Sequence, residues 1–166
     1  DANLTNFTVN YVHPVKEIGI IETGYKTTLR FINDDYLRSN QQNGNFITDQ
    51  SHSDIFKFNE QIHALYLQYT GWTGTQQEPV WKYQFGIRPE QVWNAGDNVR
   101  SSYNFSNNYF QLYPSASLIY YTPKRNSFKL AYSKRINRPS IGDYSPFIAI
   151  TDSLNVWSGN PDIQPD

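Results

Sequence analysis

The chain has no cysteine, which excludes disulfides and thiolate metal sites and leaves the compartment open. It has no methionine, not even at position 1, and no signal peptide. No stretch approaches the roughly 18 consecutive apolar residues of a transmembrane helix. Excess charge of one sign is missing too. Lys and Arg number 14 against 15 Asp and Glu, a net charge of -1, and the basic residues are scattered, which argues against a nucleic-acid surface. The last residues, Gly159-Asn160-Pro161-Asp162-Ile163-Gln164-Pro165-Asp166, read as a turn. The chain is therefore expected to be an internal piece of a longer polypeptide.

What is present is aromatic and alternating. The 166 residues are 38% hydrophobic yet include 13 Tyr, 10 Phe and 4 Trp, and mean hydropathy is -0.67. Low hydropathy with many aromatics suits a barrel wall in which every second residue is polar. From Trp81 to Arg88 the sequence runs Trp-Lys-Tyr-Gln-Phe-Gly-Ile-Arg, with one face aromatic or apolar and the other polar or glycine. Helical periodicity is weak, while this period of two recurs about six times.

The alternation predicts strands over about 4–11, 19–33, 55–69, 80–94, 108–122 and 127–136. Polar stretches at 33–54, 95–107 and 138–166 read as long loops; His13–Lys16, Gly71–Gly74 and Pro123–Asn126 read as short turns. Short and long connections thus alternate, as in outer-membrane barrels with short periplasmic turns. The fold class expected is all-β: an antiparallel up-and-down meander of about six strands, an arc of a transmembrane β-barrel, spanning 1–166 as a partial barrel domain. A turn centred near Thr75 would set Leu67 opposite Tyr83, Leu65 opposite Phe85 and His63 opposite Ile87. The expected lipid face is Tyr25, Leu65, Leu67, Tyr83, Phe85 and Ile87, with Leu118, Tyr120 and Leu130 on the last two strands. The same face turns polar farther out, at Lys57, Asn59 and Gln61. Glu60, Gln68, Lys82, Gln84, Arg88 and Glu90 would face the lumen. A one-residue slip would put charges in lipid, at about 2–4 kcal/mol for each basic residue near mid-membrane.

The segment Leu130-Ala131-Tyr132-Ser133-Lys134-Arg135-Ile136-Asn137-Arg138-Pro139-Ser140 resembles the barrel of TonB-dependent outer-membrane receptors of the Bacteroidetes type. So does Ser158-Gly159-Asn160-Pro161-Asp162-Ile163-Gln164-Pro165-Asp166, which is similar to the family's Gly-Asn-Pro-x-Leu-x-Pro-Glu turn. Tyr113-Pro114-Ser115 and Gly86-Ile87-Arg88-Pro89-Glu90 are similar to further family segments, with Pro89 where the family usually has an aromatic residue. The matches span 55–166 well and the first 54 residues more loosely. The resemblance implies a 22-stranded barrel in the bacterial outer membrane, with an N-terminal plug and with import of siderophores, vitamins, glycans or peptides. Its implied partners are the plug, the remaining strands, the TonB complex through an N-terminal region outside this sequence, outer-membrane lipid and a surface lipoprotein. No nucleic acid and no cofactor is implied.

Several constellations have two readings. Glu60, Arg88 and Glu90 could touch plug or substrate, or form a salt-bridge network that pins register, which cross-strand pair energetics favour. Lys26 and Arg30, with Glu22, form a second lumen row whose partner is the plug. Asp34, Asp35, Asp49 and Asp54 lack calcium-loop spacing and read as a solvated loop. His13, His52 and His63 show no zinc spacing, and no nucleophile elbow is present, so no metal site, no catalytic residue and no enzyme are expected. Trp72, Trp81, Tyr69, Tyr83 and Tyr121, near the short turns, read as an interfacial aromatic girdle rather than a sugar platform. Trp157, in the last loop, is the better sugar-contact candidate. Two other classes compete with the receptor wall: a soluble β-sandwich that binds glycans through exposed aromatics, and an outer-membrane barrel enzyme. Taken alone, the chain is expected to self-associate through its open strand edges and apolar face.

Overall fold

The computed structural model describes residues 1–50, 53–99, 103–145, 149–150, 155–160 and 163, with the side chains of 141, 149, 150, 156 and 157 excepted. Six strands, β1 (Ala2–Val15), β2 (Gly19–Tyr36), β5 (Asp54–Gly74), β6 (Pro79–Asn98), β7 (Tyr103–Tyr121) and β8 (Ser127–Ser133), form one antiparallel sheet in the order β1-β2-β5-β6-β7-β8. This is the expected meander, an arc of barrel wall whose edges are β1 and β8. The six strands form one sheet rather than two packed layers, which removes the sandwich architecture that the glycan-module alternative requires.

The strands are longer than the alternation alone indicates. β5 has 21 residues and β6 has 20, about twice the roughly 9–11 needed to cross a bilayer. The stretch at 95–107 is therefore not a long loop: β6 runs to Asn98 and β7 begins at Tyr103. Above the membrane the outward face no longer meets lipid and turns polar, so apolar alternation fades there while the ladder continues. The last strand ends earlier than expected, at Ser133. The stretch at 33–54 contains the hairpin β3 (Ser39–Gln42) and β4 (Asn45–Thr48), closed by Asn43-Gly44 with φ of 50° and 83°. Asn-Gly is the pair that a tight type I′ turn demands. The final stretch contains a one-turn helix, α1 (Ile141–Tyr144), and a two-residue ladder between β9 (Ala149–Ile150) and β10 (Val156–Trp157).

The β5–β6 register also differs from expectation. Leu67 pairs with Ile87, Tyr69 with Phe85 and Gly71 with Tyr83, four residues from the expected pairing. The ladder extends through Thr73 and Trp81, and the turn occupies 75–78 after a bulge at Thr73/Gly74. Gly74 takes the positive φ of 88° that starts this turn, and Pro79 begins β6 where its missing N–H costs least. Because the error is an even number of residues, each side chain keeps its face. Partners are interrupted between Ala64/Glu90 and Leu67/Ile87, opposite Pro89, which has no N–H to donate.

Three cross-strand pairs set a glycine against an aromatic ring: Gly24 with Tyr66, Gly71 with Tyr83, and Gly96 with Phe105. The ring lies over the space a Cβ would take, which lets a twisted sheet bend while the ring restores lost contact. At Gly24 a Cβ would lie 2.5 Å from the Val9 carbonyl oxygen and 2.6 Å from the Tyr66 ring. Gly24→Val in the natural full-length protein is therefore expected to lose about 1–3 kcal/mol, the usual cost of overpacking. Urea unfolding in lipid vesicles measures this, and an unchanged midpoint would contradict it.

Candidate functional site: the two faces of the wall

On the outward face, odd positions of β1, β2, β5 and β6 meet even positions of β7 and β8. Tyr25, Leu65, Leu67, Tyr83, Phe85, Ile87, Leu118, Tyr120 and Leu130 all share it. Leu65 is 58% exposed, Phe85 57% and Leu130 74%, far more than a soluble sheet leaves open in a continuous patch. At the short-turn end the rings of Tyr69 and Tyr83 lie 6.0 Å apart and those of Trp81 and Tyr120 4.6 Å apart. Toward the other end Tyr25 hydrogen-bonds His63 Nδ1 at 2.5 Å, and His63 meets Trp93 edge-on at 5.4 Å. Trp81 and Trp93 are twelve residues apart on β6, about 31 Å of height at roughly 3.4 Å per residue and a tilt near 40°. That separation is close to the hydrocarbon thickness of a bilayer.

The expected aromatic girdle is only partly on this face. Trp72, on an even position of β5, and Tyr121, on an odd position of β7, point to the other side and line one inner pocket with Lys82 and Arg125. Proximity to a short turn grouped them with the girdle, whereas strand parity separates them.

The inner face carries a network of polar contacts. Gln68 donates to Glu22 at 2.5 Å, and Gln84 donates to Gln68 at 2.6 Å. Glu60 and Glu90 are buried, 4% and 5% exposed. Glu60 pairs with Arg30 at 3.2 Å, and Glu90 with Arg88 at 3.0 Å. Glu60, Arg88 and Glu90 do not form the single cross-strand cluster expected. Glu60 faces Asn94 in register and takes its cation from β2, while Arg88 and Glu90 are two apart on one strand. Arg88 also lies over the Tyr113 ring, 5.1 Å from its centroid.

The residue that sequence reasoning left in the closing loop is Arg138. The chain beyond β8 turns back over the inner face, and the Arg138 guanidinium donates to the Glu90 carboxylate. Six residues on, Tyr144 of α1 is buried between the rings of Phe58 (5.6 Å) and Phe105 (5.8 Å), with Phe56 in the same cluster. Asn94 donates to its hydroxyl at 3.4 Å. Burial raises the Tyr144 pKa above the ordinary tyrosine value, so its hydroxyl stays neutral at physiological pH. One signal was available: Phe56 and Phe58 occupy successive inner-face positions between Asp54 and Glu60, and two large rings on a lumen face call for a cover.

The cover is fastened at Gly159. Its N–H donates to Ser145 O at 2.9 Å and that of Asn160 to Asp143 O at 2.6 Å. A Cβ at 159 would lie 2.5–2.6 Å from the carbonyl oxygens of Gly142, Asp143 and Ser145. Glycine here is a requirement of close approach.

Between the returning segment and the strands lies an open groove of about 530 Å³. Lys26, Arg88 and Glu90 line it, together with Tyr66, Tyr113 and Arg135; Arg30 and Glu60 do not. Trp157 pairs through its backbone with Ala149, and its side chain lies outside the described part, as does His52. Asp34 and Asp35 lie in β2, and Asp54 opens β5 as a buried residue rather than a solvated loop position. Among the described residues no three His, Asp or Glu side chains converge as a metal site.

A single antiparallel sheet with a bilayer-high apolar face and a polar, ion-paired opposite face defines the wall of a membrane-spanning barrel. The model of the outer membrane protein beta-barrel family matches residues 1–166, and the chain belongs to that family. Its place is the bacterial outer membrane. No curated protein and no solved structure matches the chain.

Removing Arg138 would leave the buried Glu90 carboxylate with Arg88 alone. Arg138→Met is expected to destabilise the covered inner face by about 1–3 kcal/mol, below the figure for a fully buried pair because Arg138 is partly exposed. Limited proteolysis should cut at 139–145 faster in this variant. Adding Glu90→Gln should recover part of the loss, and equal cleavage of variant and parent would contradict the role.

Proposed function

We propose that the chain is part of the wall of a TonB-dependent receptor that imports a siderophore, vitamin, glycan or peptide across the outer membrane. The observation that carries this reading is the inner face, where a groove lined in part by Lys26, Arg88, Glu90 and Arg135 lies beneath a segment folded back from the last strand. The two stretches most similar to such receptors, at 130–140 and 158–166, include the residues that form and fasten that cover.

In this reading the apolar outward face meets outer-membrane lipid, and Lys26, Arg88 and Glu90 contact plug or solute. Arg30–Glu60 holds the β2–β5 register. A plug domain and further strands complete the pore, TonB engages an N-terminal region outside this sequence, and a surface lipoprotein sits on the long connections. The wall is passive and catalyses no reaction. Taken alone, the sheet would associate with copies of itself along β1 and β8.

Binding of the natural full-length protein, purified in detergent, to the periplasmic domain of TonB from the same bacterium tests the proposal. Saturable one-to-one binding is expected. No binding by a protein whose gel mobility shows a folded barrel would overturn the receptor reading and leave the barrel wall intact.

A further inference from the structure

The outward face changes chemistry above Trp93. Register aligns Asn3, Phe31, Asn59, Ala95 and Ser106 in one row across five strands. The next row out aligns Asn33, Lys57, Asp97 and Asn104. On β6 these rows lie two and four residues past Trp93, about 5 and 10 Å higher at a tilt near 40°. That is the headgroup layer next to the outer leaflet, above the apolar band and below the connections.

We propose that these two rows form a docking surface for the saccharide headgroups of outer-leaflet glycolipid. The surface is a hollow of about 730 Å³ whose lining is mostly apolar, with Asn3, Asn33, Asn59 and Asn104 among its residues. Carboxamides both donate and accept, which matches sugar hydroxyls. Asn59 presents a buried side-chain oxygen with no partner, and a hydroxyl donor from a ligand would remove that deficit. Phe31, 46% exposed beside Asn59, offers a flat apolar surface for a pyranose ring. Lys57 and Asp97 face each other in register, so the rows have no excess charge and favour sugar over phosphate. The inference rests on the outer-membrane location and is independent of the transport proposal.

The test uses the natural full-length protein in detergent, offered lipopolysaccharide, its deacylated core oligosaccharide, or phosphatidylethanolamine, with retained ligand measured by native mass spectrometry. Retention of lipopolysaccharide and of the free oligosaccharide, but not of phosphatidylethanolamine, is expected. The double variant Asn59→Leu/Asn104→Leu should weaken both by about tenfold, the loss of one or two neutral hydrogen bonds. Equal retention of all lipids by the parent protein overturns the proposal even if the variant fails to fold. Binding of intact lipopolysaccharide without the oligosaccharide, or binding unchanged in a folded variant, overturns it as well.

Discussion

A strand inside a bilayer has no water to bond its amides, so each N–H and C=O must find the neighbouring strand. That requirement fixes the ladder, and the ladder fixes which side chains share a face. In this chain the ladder runs unbroken in direction through six strands. It yields where Pro89 has no proton to offer and at the bulge beside Gly74. Both faces follow from it. Leu65, Leu67, Tyr83, Phe85 and Ile87 go to one side, while Glu22, Gln68, Gln84, Arg88 and Glu90 go to the other.

The inner face then has a difficulty of its own. It buries the Glu90 carboxylate and carries a cluster of phenylalanines, and each needs a partner. A buried acid is tolerable only with a cation beside it, and exposed rings on a polar face favour a cover. The chain meets both needs with one segment. Arg138 joins Arg88 at Glu90, and Tyr144 closes over Phe58 and Phe105. Gly159 lets the following backbone press against α1 and hold it there. The result is a wall with its own inward lining, which narrows the space in front of Lys26 and Arg88.

Much of this was legible in the residues because parity is robust. A register misjudged by four residues still sends Tyr83, Phe85 and Ile87 outward, since only odd slips exchange the faces. The meander followed from six alternating runs and three short turns. What was not legible had physical reasons. Strand ends above the membrane lose apolar contrast, so 95–107 looked like loop although most of it is strand. Asn43-Gly44 was read as general polarity rather than as a hairpin turn. Trp72 and Tyr121 were grouped by distance from a turn when parity decides their side. Arg138 reaches Glu90 by a return of the chain that no local period encodes. Only the aromatic pair Phe56 and Phe58, on the wrong face for an exposed strand, hinted that something comes back to cover them.

The central claim is that one face of each strand meets lipid and the other meets water. These 166 residues contain no cysteine, so in a full-length protein made free of cysteine elsewhere every introduced thiol is the sole reporter. Single cysteines at Lys82, Tyr83, Gln84, Phe85, Ile87 and Arg88 would be placed in the full-length protein in outer membranes and treated with a water-soluble maleimide. The account predicts labelling at 82, 84 and 88 and protection at 83, 85 and 87. Uniform labelling, or protection of the even positions instead, would contradict it.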